Sequence, residues 1–132
     1  MSNEMIFGDI SIVPLLKAQR KFELFRKNLQ SEQEKAGAIQ AFEFCYELCW
    51  RTLKRVLNKK GVDVTSPRDT FRMGAQNHLL SNPEVWFDFQ MKRNLTSHTY
   101  NDATMEEVVA IFPQFSGAMQ QLIQVLKSGE PK

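Results

Sequence analysis

The sequence is poor in the groups that build metal or disulfide sites, because its 132 residues include only two cysteines and two histidines. Cys45 and Cys49 are one helical turn apart, a spacing typical of two thiols that face a helical core. A metal site at this pair would need His78 or His98 as a further ligand, which we consider the lesser alternative. We therefore predict reduced core thiols in a cytoplasmic protein that carries no metal and no cofactor.

The sequence also lacks a long apolar run and a strong excess of either charge. No stretch approaches the roughly 20 apolar residues that cross a bilayer. Residues 1–9 lack the basic start and apolar run of a signal peptide, so we expect no membrane association. The net charge is only +2, and the hydrophobic (42%) and charged (24%) fractions are those of an ordinary globular domain. The length suits one domain with a substantial core.

Positive charge is nevertheless concentrated in one segment. Residues 51–60 contain five cations and no acid. These cations are Arg51, Lys54, Arg55, Lys59 and Lys60. Such a run usually forms the solvated face of a helix. The alternative is a surface that follows the phosphates of a nucleic acid, and the sequence leaves both interpretations open.

Apolar residues recur at helical spacing in four segments, of which the first covers residues 12–29. Ser31 and Glu34 form a capping box at the start of the second helix. Lys59-Lys60-Gly61 provides the cations and the glycine that typically end a helix. Between these ends, the second helix has an apolar seam with alternating spacings of three and four residues. The seam consists of Ile39, Phe42, Tyr46, Cys49, Leu53 and Val56.

The third helix is predicted to be broken. Residues 66–80 begin with a serine cap followed by proline, and residues 81–91 repeat this start signal with asparagine and proline. The last helix is expected from residues 101–104 to Leu126, with a kink at Pro113. No segment alternates with the period of a strand. We predict an all-α, up-and-down four-helix bundle with a broken third helix.

The predicted organisation is one helical domain with flexible ends. Residues 1–9 are expected to form a flexible N-terminus, residues 10–127 the bundle, and residues 128–132 a flexible tail. The connections between helices are short, so neighbouring helices should run antiparallel.

The segment from Arg93 to Tyr100 contains the side chains best suited to chemistry. Arginine binds phosphate oxygens in a planar fork, and histidine moves protons near neutral pH. Metal-independent RNA cleavage requires a base for the 2′-hydroxyl, an acid for the leaving oxygen and a cation beside the phosphorane. One histidine, His98, cannot easily serve both proton roles, so we expect a two-fold dimer that places two copies across one groove.

A regular helix would not bring the two functional side chains together. Arg93 and His98 would point about 140° apart at 3.6 residues per turn. Residues 96–102, however, favour helix ends and turns. We therefore predict that Arg93 lies on a firm helix and that the helix loosens before His98 and Tyr100.

The same segment resembles a family motif. Arg93-Asn94-Leu95-Thr96-Ser97-His98 resembles the Arg-polar-x3-His motif of the HEPN superfamily. The extension to Tyr100 resembles the Arg-x4-His-x-Tyr form of its HepT-like subfamily, also called nucleotidyltransferase substrate-binding proteins. Residues 38–54, which begin Ala38-Ile39-Gln40-Ala41-Phe42-Glu43-Phe44, are similar to the second helix of that subfamily. The resemblance extends from about residue 15 to residue 126.

The resemblance implies a dimeric helical bundle that acts as the toxin-like partner of a small nucleotidyltransferase. It implies a metal-independent endoribonuclease that acts on RNA, with Arg93 and His98 catalytic and Asn94 supporting the motif. Tyr100 would accept AMP from the nucleotidyltransferase, and this modification would silence the enzyme. A bulky anion two residues from His98 would fill the groove and compete for Arg93.

Two other functions remain open. A non-catalytic subunit could bind nucleotide or present substrate to a nucleotidyltransferase, with Arg93 as a phosphate ligand and His98 dispensable for binding. A plain interaction bundle, such as a histidine phosphotransfer domain, would display His98 to a docking partner. The residues that follow it, Thr99-Tyr100-Asn101-Asp102, are not the Lys-Gly-small sequence that would give such a partner room.

Glu43 and Glu47 have two interpretations. They precede Arg51 and Arg55 at four-residue intervals, so a ladder of ion pairs on the helix surface is the default. The alternative places both carboxylates in the groove, where they would orient the catalytic arginine or histidine.

Overall fold

The computed structural model describes residues 5–97 and 101–128, and within them the chain forms two short strands and six α-helices. The strands β1 (Met5–Ile6) and β2 (Ile10–Ser11) pair as an antiparallel hairpin. The helices are α1 (Val13–Phe25), α2 (Glu32–Lys59), α3 (Pro67–Gln76), α4 (Pro83–Leu95), α5 (Asp102–Val109) and α6 (Phe112–Ser128). Apart from Ser128, which ends α6, the expected flexible tail lies outside the described residues.

Helix α2 is the longest and contacts the other five helices, reaching α6 through the ring of Phe42. Its capping box is present: the Ser31 hydroxyl accepts from the Glu34 amide at 3.0 Å, and the Glu34 carboxylate accepts from the Ser31 amide at 2.9 Å. At the other end, Lys60 caps the helix and Gly61 adopts φ +86°. Both predicted ends of this helix are confirmed. They could be predicted from the sequence because the residues that start and stop the helix act locally.

An aromatic cluster joins the helices. Phe115 of α6 makes edge-to-face contacts with Phe42 of α2 at 4.8 Å and with Phe89 of α4 at 5.1 Å between ring centroids. Phe22 of α1 contacts Phe115 at 5.4 Å in the same geometry. All four rings are fully buried, so the cluster ties α1, α2, α4 and α6 into one core.

The predicted break in the third helix is confirmed between α3 and α4. Asn77 caps α3, and His78 follows it with φ +62°. Asn82 then starts α4, with its side-chain oxygen accepting from the Glu84 amide at 3.1 Å and Pro83 in the first turn. The cap and the proline together explain the restart, because proline needs no hydrogen-bond acceptor in a first turn.

The last helix differs from the prediction, since it breaks before Pro113 instead of kinking there. Helix α5 ends at Val109, and α6 begins at Phe112 with Pro113 in its first turn. Within a continuous helix the Pro113 ring would clash with the carbonyl of Val109, four residues earlier. The chain avoids this clash by ending one helix at Val109 and starting another.

The N-terminal segment also differs from the prediction for residues 5–9, which were expected to be flexible. The hairpin buries the side chains of Ile6 and Phe7, which are 3% and 4% exposed. Asp9 pairs with Lys59 at the end of α2. Apolar burial and this ion pair fix the segment against the bundle, and two-residue strands are too short to give a period in the sequence.

No helix in the described part of the chain is both long and apolar enough to span a membrane. Cys45 and Cys49 are free and buried in α2, as predicted for core thiols. Burial raises the pKa of the Cys45 thiol to about 12, and the nearby Glu23 carboxylate adds to this effect. Burial also raises the pKa of Cys49 well above its ordinary value.

We expect Cys45 to make the protein less stable as the pH rises above about 9, the ordinary pKa of its thiol. Because the pKa is raised in the folded state, the folded chain keeps this proton between pH 9 and about 12 while the unfolded chain releases it. The free energy of unfolding then falls by about 1.4 kcal/mol per pH unit. In urea unfolding at about pH 8.5 and 10.5, Cys45→Ala should lose about 2 kcal/mol less than the native chain. An equal loss in both would contradict this assignment.

Candidate functional site

Arg93 lies in the last turn of α4, and the helix ends two residues later, as the sequence predicts. The Thr96 hydroxyl donates to the Arg93 carbonyl at 2.7 Å, and the Ser97 hydroxyl donates to the Asn94 carbonyl at 3.0 Å. These hydroxyls add a second hydrogen bond to carbonyls that already accept from the Thr96 and Ser97 amides at the end of the helix. A cation in this turn is also favoured by the negative end of the helix dipole.

The Arg93 guanidinium is held by two side chains of α2 and by one from the turn that follows α4. Its Nε donates to Glu47 Oε2 of α2 at 3.3 Å, and its Nη1 lies 4.0 Å from Glu43 Oε2. Nη1 also donates to the Ser97 hydroxyl at 3.5 Å. The Arg93 side chain remains 29% exposed, so it is oriented by these contacts and still accessible from solvent.

Both oxygens of Glu47 are engaged. Oε1 accepts from the Trp50 indole N–H at 3.0 Å and lies 3.4 Å from Arg51 Nε, while Oε2 accepts from Arg93. Two of these partners, Trp50 and Arg51, lie on α2 with Glu47, so the orientation of the Glu47 side chain does not depend on Arg93 alone. The ladder pair with Arg51 and the contact with Arg93 therefore exist together, and the two interpretations of Glu47 do not exclude each other.

Glu43 reaches the end of α4 by a different contact. Its Oε2 lies within hydrogen-bond distance of the Thr96 hydroxyl, directly after the last residue of the helix, and the single proton of this hydroxyl is shared between Glu43 and the Arg93 carbonyl. Glu43 and Glu47 thus hold α4 at two points one helical turn apart. Because both contacts cross from α2 to the end of α4, they fix where the following segment leaves the bundle.

Arg93 and the two carboxylates line an open groove of about 450 Å³ between α1, α2 and α4. Half-exposed aromatic side chains and a second cation share this surface. The lining includes Lys21 and Phe25 of α1, Glu43, Phe44 and Glu47 of α2, and Arg93 of α4. The groove therefore combines a phosphate ligand with apolar surface, which suits a nucleotide unit of RNA.

His98 and Tyr100 lie outside the described residues. Along the chain they fall between Ser97, which contacts Arg93, and Asn101, which caps α5. Asn94 is exposed, and its backbone carbonyl accepts from the Ser97 hydroxyl at 3.0 Å. The structure thus brings together Arg93, Glu43 and Glu47 of the predicted site residues.

Two aromatic residues of α2 were missed as site residues. Trp50 is the indole donor that holds Glu47. Tyr46 is 1% exposed, and its hydroxyl has no hydrogen-bond partner in residues 5–97 and 101–128. Burial raises the pKa of Tyr46, the Glu47 charge raises it further, and Arg93 opposes the shift. In the sequence, Tyr46 is a polar residue within the apolar seam of α2, and its position there was interpreted as core packing alone.

A larger cleft of about 870 Å³ lies between the α3–α4 connection and α6. Its lining includes His78, Asn82, Gln114 and Gln121 and contains no lysine, arginine, aspartate or glutamate. Size alone would favour this cleft. We favour the Arg93 groove as the functional site because, of these two cavities, it is the one whose described lining combines a fixed cation with fixed carboxylates.

Comparison with known proteins identifies the family. Residues 14–128 match the family described as "Nucleotidyltransferase substrate binding protein like", and the chain belongs to this family. Over 84 residues, or 60% of its length, the chain is 33% identical to the "Probable ribonuclease HepT" of Haemophilus influenzae. The match covers 56% of that protein, so the chain spans little more than half of the curated relative's length.

Solved structures confirm the helical fold. A protein from Thermus thermophilus superimposes with a TM-score of 0.81 at 26% identity, over 86% of this chain and 98% of its own. A tri-AMPylated HEPN toxin from Shewanella oneidensis, solved in complex with an MNT antitoxin, superimposes with a TM-score of 0.76 at 19% identity. That match covers 89% of this chain and 93% of the toxin. The predicted membership of the HepT-like subfamily agrees with these similarities.

Proposed function

We propose that this protein is a toxin-like, metal-independent endoribonuclease and the partner of a small nucleotidyltransferase. One observation carries the proposal: the Arg93 guanidinium is fixed by Glu47 and Ser97 at an accessible groove, directly before the segment that contains His98. The similarity to a probable ribonuclease supports the reaction, and the structural similarity to a toxin solved with its antitoxin supports the partner. Such an enzyme would act in the cytoplasm, where RNA is present and thiols stay reduced.

In the proposed reaction, the 2′-oxygen attacks the adjacent phosphorus and the bond to the 5′-oxygen breaks. His98 takes the 2′-hydroxyl proton, and a second proton carrier gives a proton to the leaving 5′-oxygen. Arg93 stabilises the additional negative charge on the phosphorane. A two-fold dimer supplies the second histidine from the other copy, because one side chain cannot hold both protonation states at once.

The carboxylates have a positioning role in this proposal. Glu47 accepts a hydrogen bond from Arg93 Nε, and this bond fixes the orientation of the guanidinium at the end of the arginine side chain. Glu43 holds the Thr96 hydroxyl at the start of the segment that leads to His98. Together they set the arginine and the start of this segment relative to the same helix, which reduces the freedom that substrate binding must restrict.

Tyr100 is the proposed acceptor of AMP from the nucleotidyltransferase. The proposal rests on the resemblance of the motif and on the AMPylated state of the Shewanella toxin. Attachment of AMP would put a phosphate near His98 along the chain, where it would compete with RNA for Arg93.

A second function is a non-catalytic subunit that binds nucleotide for the nucleotidyltransferase. The family description favours it, and so does the pairing of Arg93 with carboxylates, which suits a binding residue as well as a catalytic one. In that function Arg93 would bind phosphate and His98 would be dispensable.

We expect purified protein without AMP on Tyr100 to cut transfer RNA or total RNA at discrete positions in excess EDTA. His98→Ala should abolish cleavage, because the proton carrier is lost. His78→Ala, which changes the other histidine at the larger cleft, is the matched control and should cut normally. Gel analysis of the RNA products measures both. Absence of cleavage by a folded, AMP-free dimer would favour the binding subunit instead.

A further inference from the structure

The exposed face of α2 continues from the groove towards the C-terminal end of the helix. Glu47 lies at the groove, and Arg51 and Lys54 follow it within about 40° around the helix axis at 3.6 residues per turn. Arg55 is about 80° away. With a rise of 1.5 Å per residue, these three cations cover the stretch from about 6 to 12 Å beyond Glu47. The groove and the cations therefore form one continuous surface.

The charge of this surface is only partly offset by carboxylates, because Asp9 attracts Arg55 electrostatically but forms its ion pair with Lys59. No acid occurs between Glu47 and Asp63 in the sequence. Lys54 and Arg55 are in no ion pair with any residue of the described ranges, 5–97 and 101–128. Arg51 is 67% exposed and only loosely paired with Glu47, at 3.4 Å. Beyond them, Lys59 is paired with Asp9.

Trp50 holds two of these cations against the helix. The Arg51 guanidinium carbon lies 5.7 Å from the centroid of the Trp50 ring, and the Lys54 ammonium lies 5.9 Å from it. Cations at this distance are attracted to the face of an indole. The indole is itself fixed by its hydrogen bond to Glu47. The cations are thus organised relative to the groove before any anion binds.

We infer that Arg51, Lys54 and Arg55, named here the α2 cation stripe, bind the phosphates of single-stranded RNA that extends from the Arg93 groove. The three cations span about 6 Å along one helix, which is enough for about two consecutive phosphates of one strand. The Phe25 and Phe44 rings of the groove offer stacking surface to unpaired bases. The distance from Glu47 to the far end of the stripe is about 12 Å, which is the length of about three to four nucleotides at the roughly 3.4 Å rise of a stacked strand. This inference rests on the proposed function, because it names the path of the substrate at the same site.

The test is a binding measurement with an RNA that cannot be cut. A fluorescent 2′-O-methyl oligouridylate of about 12 nucleotides, long enough to cover groove and stripe together, has no free 2′-hydroxyl, so binding is separated from cleavage. The stripe variant is Lys54→Gln/Arg55→Gln, and the control variant is Lys17→Gln/Arg20→Gln, which removes the same charge from exposed positions of α1. Circular dichroism establishes that both variants are folded. Cleavage of natural RNA is measured in parallel for each protein.

The stripe variant should bind the oligonucleotide about 25-fold more weakly than the native chain at about 0.1 M monovalent salt. The slope of log K against log salt should fall by about 1.4, because each lost phosphate contact on a single strand accounts for about 0.7. The control variant should stay within about twofold of the native affinity, since overall charge is the same in both variants.

The outcomes separate this inference from the proposed function. If the native chain cuts RNA and the stripe variant binds the oligonucleotide normally, the inference about the α2 cation stripe is wrong and the proposed ribonuclease function is supported. If the stripe variant loses binding but neither the native chain nor the variants cut RNA, the inference about the α2 cation stripe is supported and the proposed ribonuclease function is wrong. Loss of nucleotidyltransferase binding with unchanged RNA affinity would show that the cations serve an acidic protein surface, which overturns the inference. No RNA binding by the native chain would also overturn it.

Discussion

Arg93→Ala is expected to lower kcat for RNA cleavage by about 100- to 1,000-fold, the usual effect of removing one group that stabilises transition-state charge. The arginine is the cation that Glu47 and Ser97 hold at the groove. Its loss would also leave Glu43 and Glu47 facing the phosphate, so KM should rise through repulsion. Single-turnover cleavage, measured on RNA with one susceptible site, separates the two effects.

Two variants make the Arg93 experiment specific. Arg93→Lys keeps the charge but has neither the planar fork nor the Nε that donates to Glu47, so it should recover only part of the lost rate. Arg72→Ala removes an arginine that is paired with Asp69 at 2.9 Å on α3, and it should leave cleavage unchanged. Native activity in Arg93→Ala would exclude the arginine from the chemistry.

Phe115→Ala is expected to lower the free energy of unfolding by about 3–5 kcal/mol. The ring is fully buried and makes edge-to-face contacts with Phe22, Phe42, Phe89 and Trp86, at 4.8 to 6.0 Å between centroids. Truncation leaves a cavity where four helices meet, and each aromatic pair adds about 0.5–1.5 kcal/mol beyond the buried area. This is a large part of the roughly 5–15 kcal/mol by which domains are stable.

Urea unfolding measures the effect, and two further variants calibrate it. Phe115→Leu fills much of the same volume and should cost less than the alanine variant, so it reports on the same site if Phe115→Ala does not fold. Phe44→Ala removes the same ring from a position that is 61% exposed, and it should change stability by about 0.5 kcal/mol or less. Equal losses in Phe44→Ala and Phe115→Ala would contradict the structural ranking of the two positions.

The parts of the fold that the sequence predicts are those with local signals. Ser31 and Asn82 start helices because their own side chains cap them, and neither depends on distant contacts. The break before Pro113 was misplaced because a proline is compatible with both a kink and a first turn, and the choice depends on how α5 packs. The hairpin at residues 5–11 was missed because the bundle it covers, and not its own pattern, gives it order.

The candidate site shows the same division. The position of Arg93 at a helix end follows from the turn-forming residues that come after it. Its contact with Glu47 does not follow, because it depends on how α2 and α4 pack across 46 residues of sequence. The four-residue spacing of the acids and bases on α2 concealed this contact, since a surface ladder explains the same spacing.

The charges that line the groove cancel one another. Lys21 and Arg93 contribute two positive charges, and Glu43 and Glu47 contribute two negative charges. A free mononucleotide or an inorganic phosphate can contact Arg93, but it therefore gains little net electrostatic attraction from the groove as a whole. Affinity must instead come from cations beyond the groove, which only a longer chain of nucleotides can reach. A ribonuclease with this site would distinguish polymeric RNA from the abundant small phosphates of a cell by charge balance, without reading a single base.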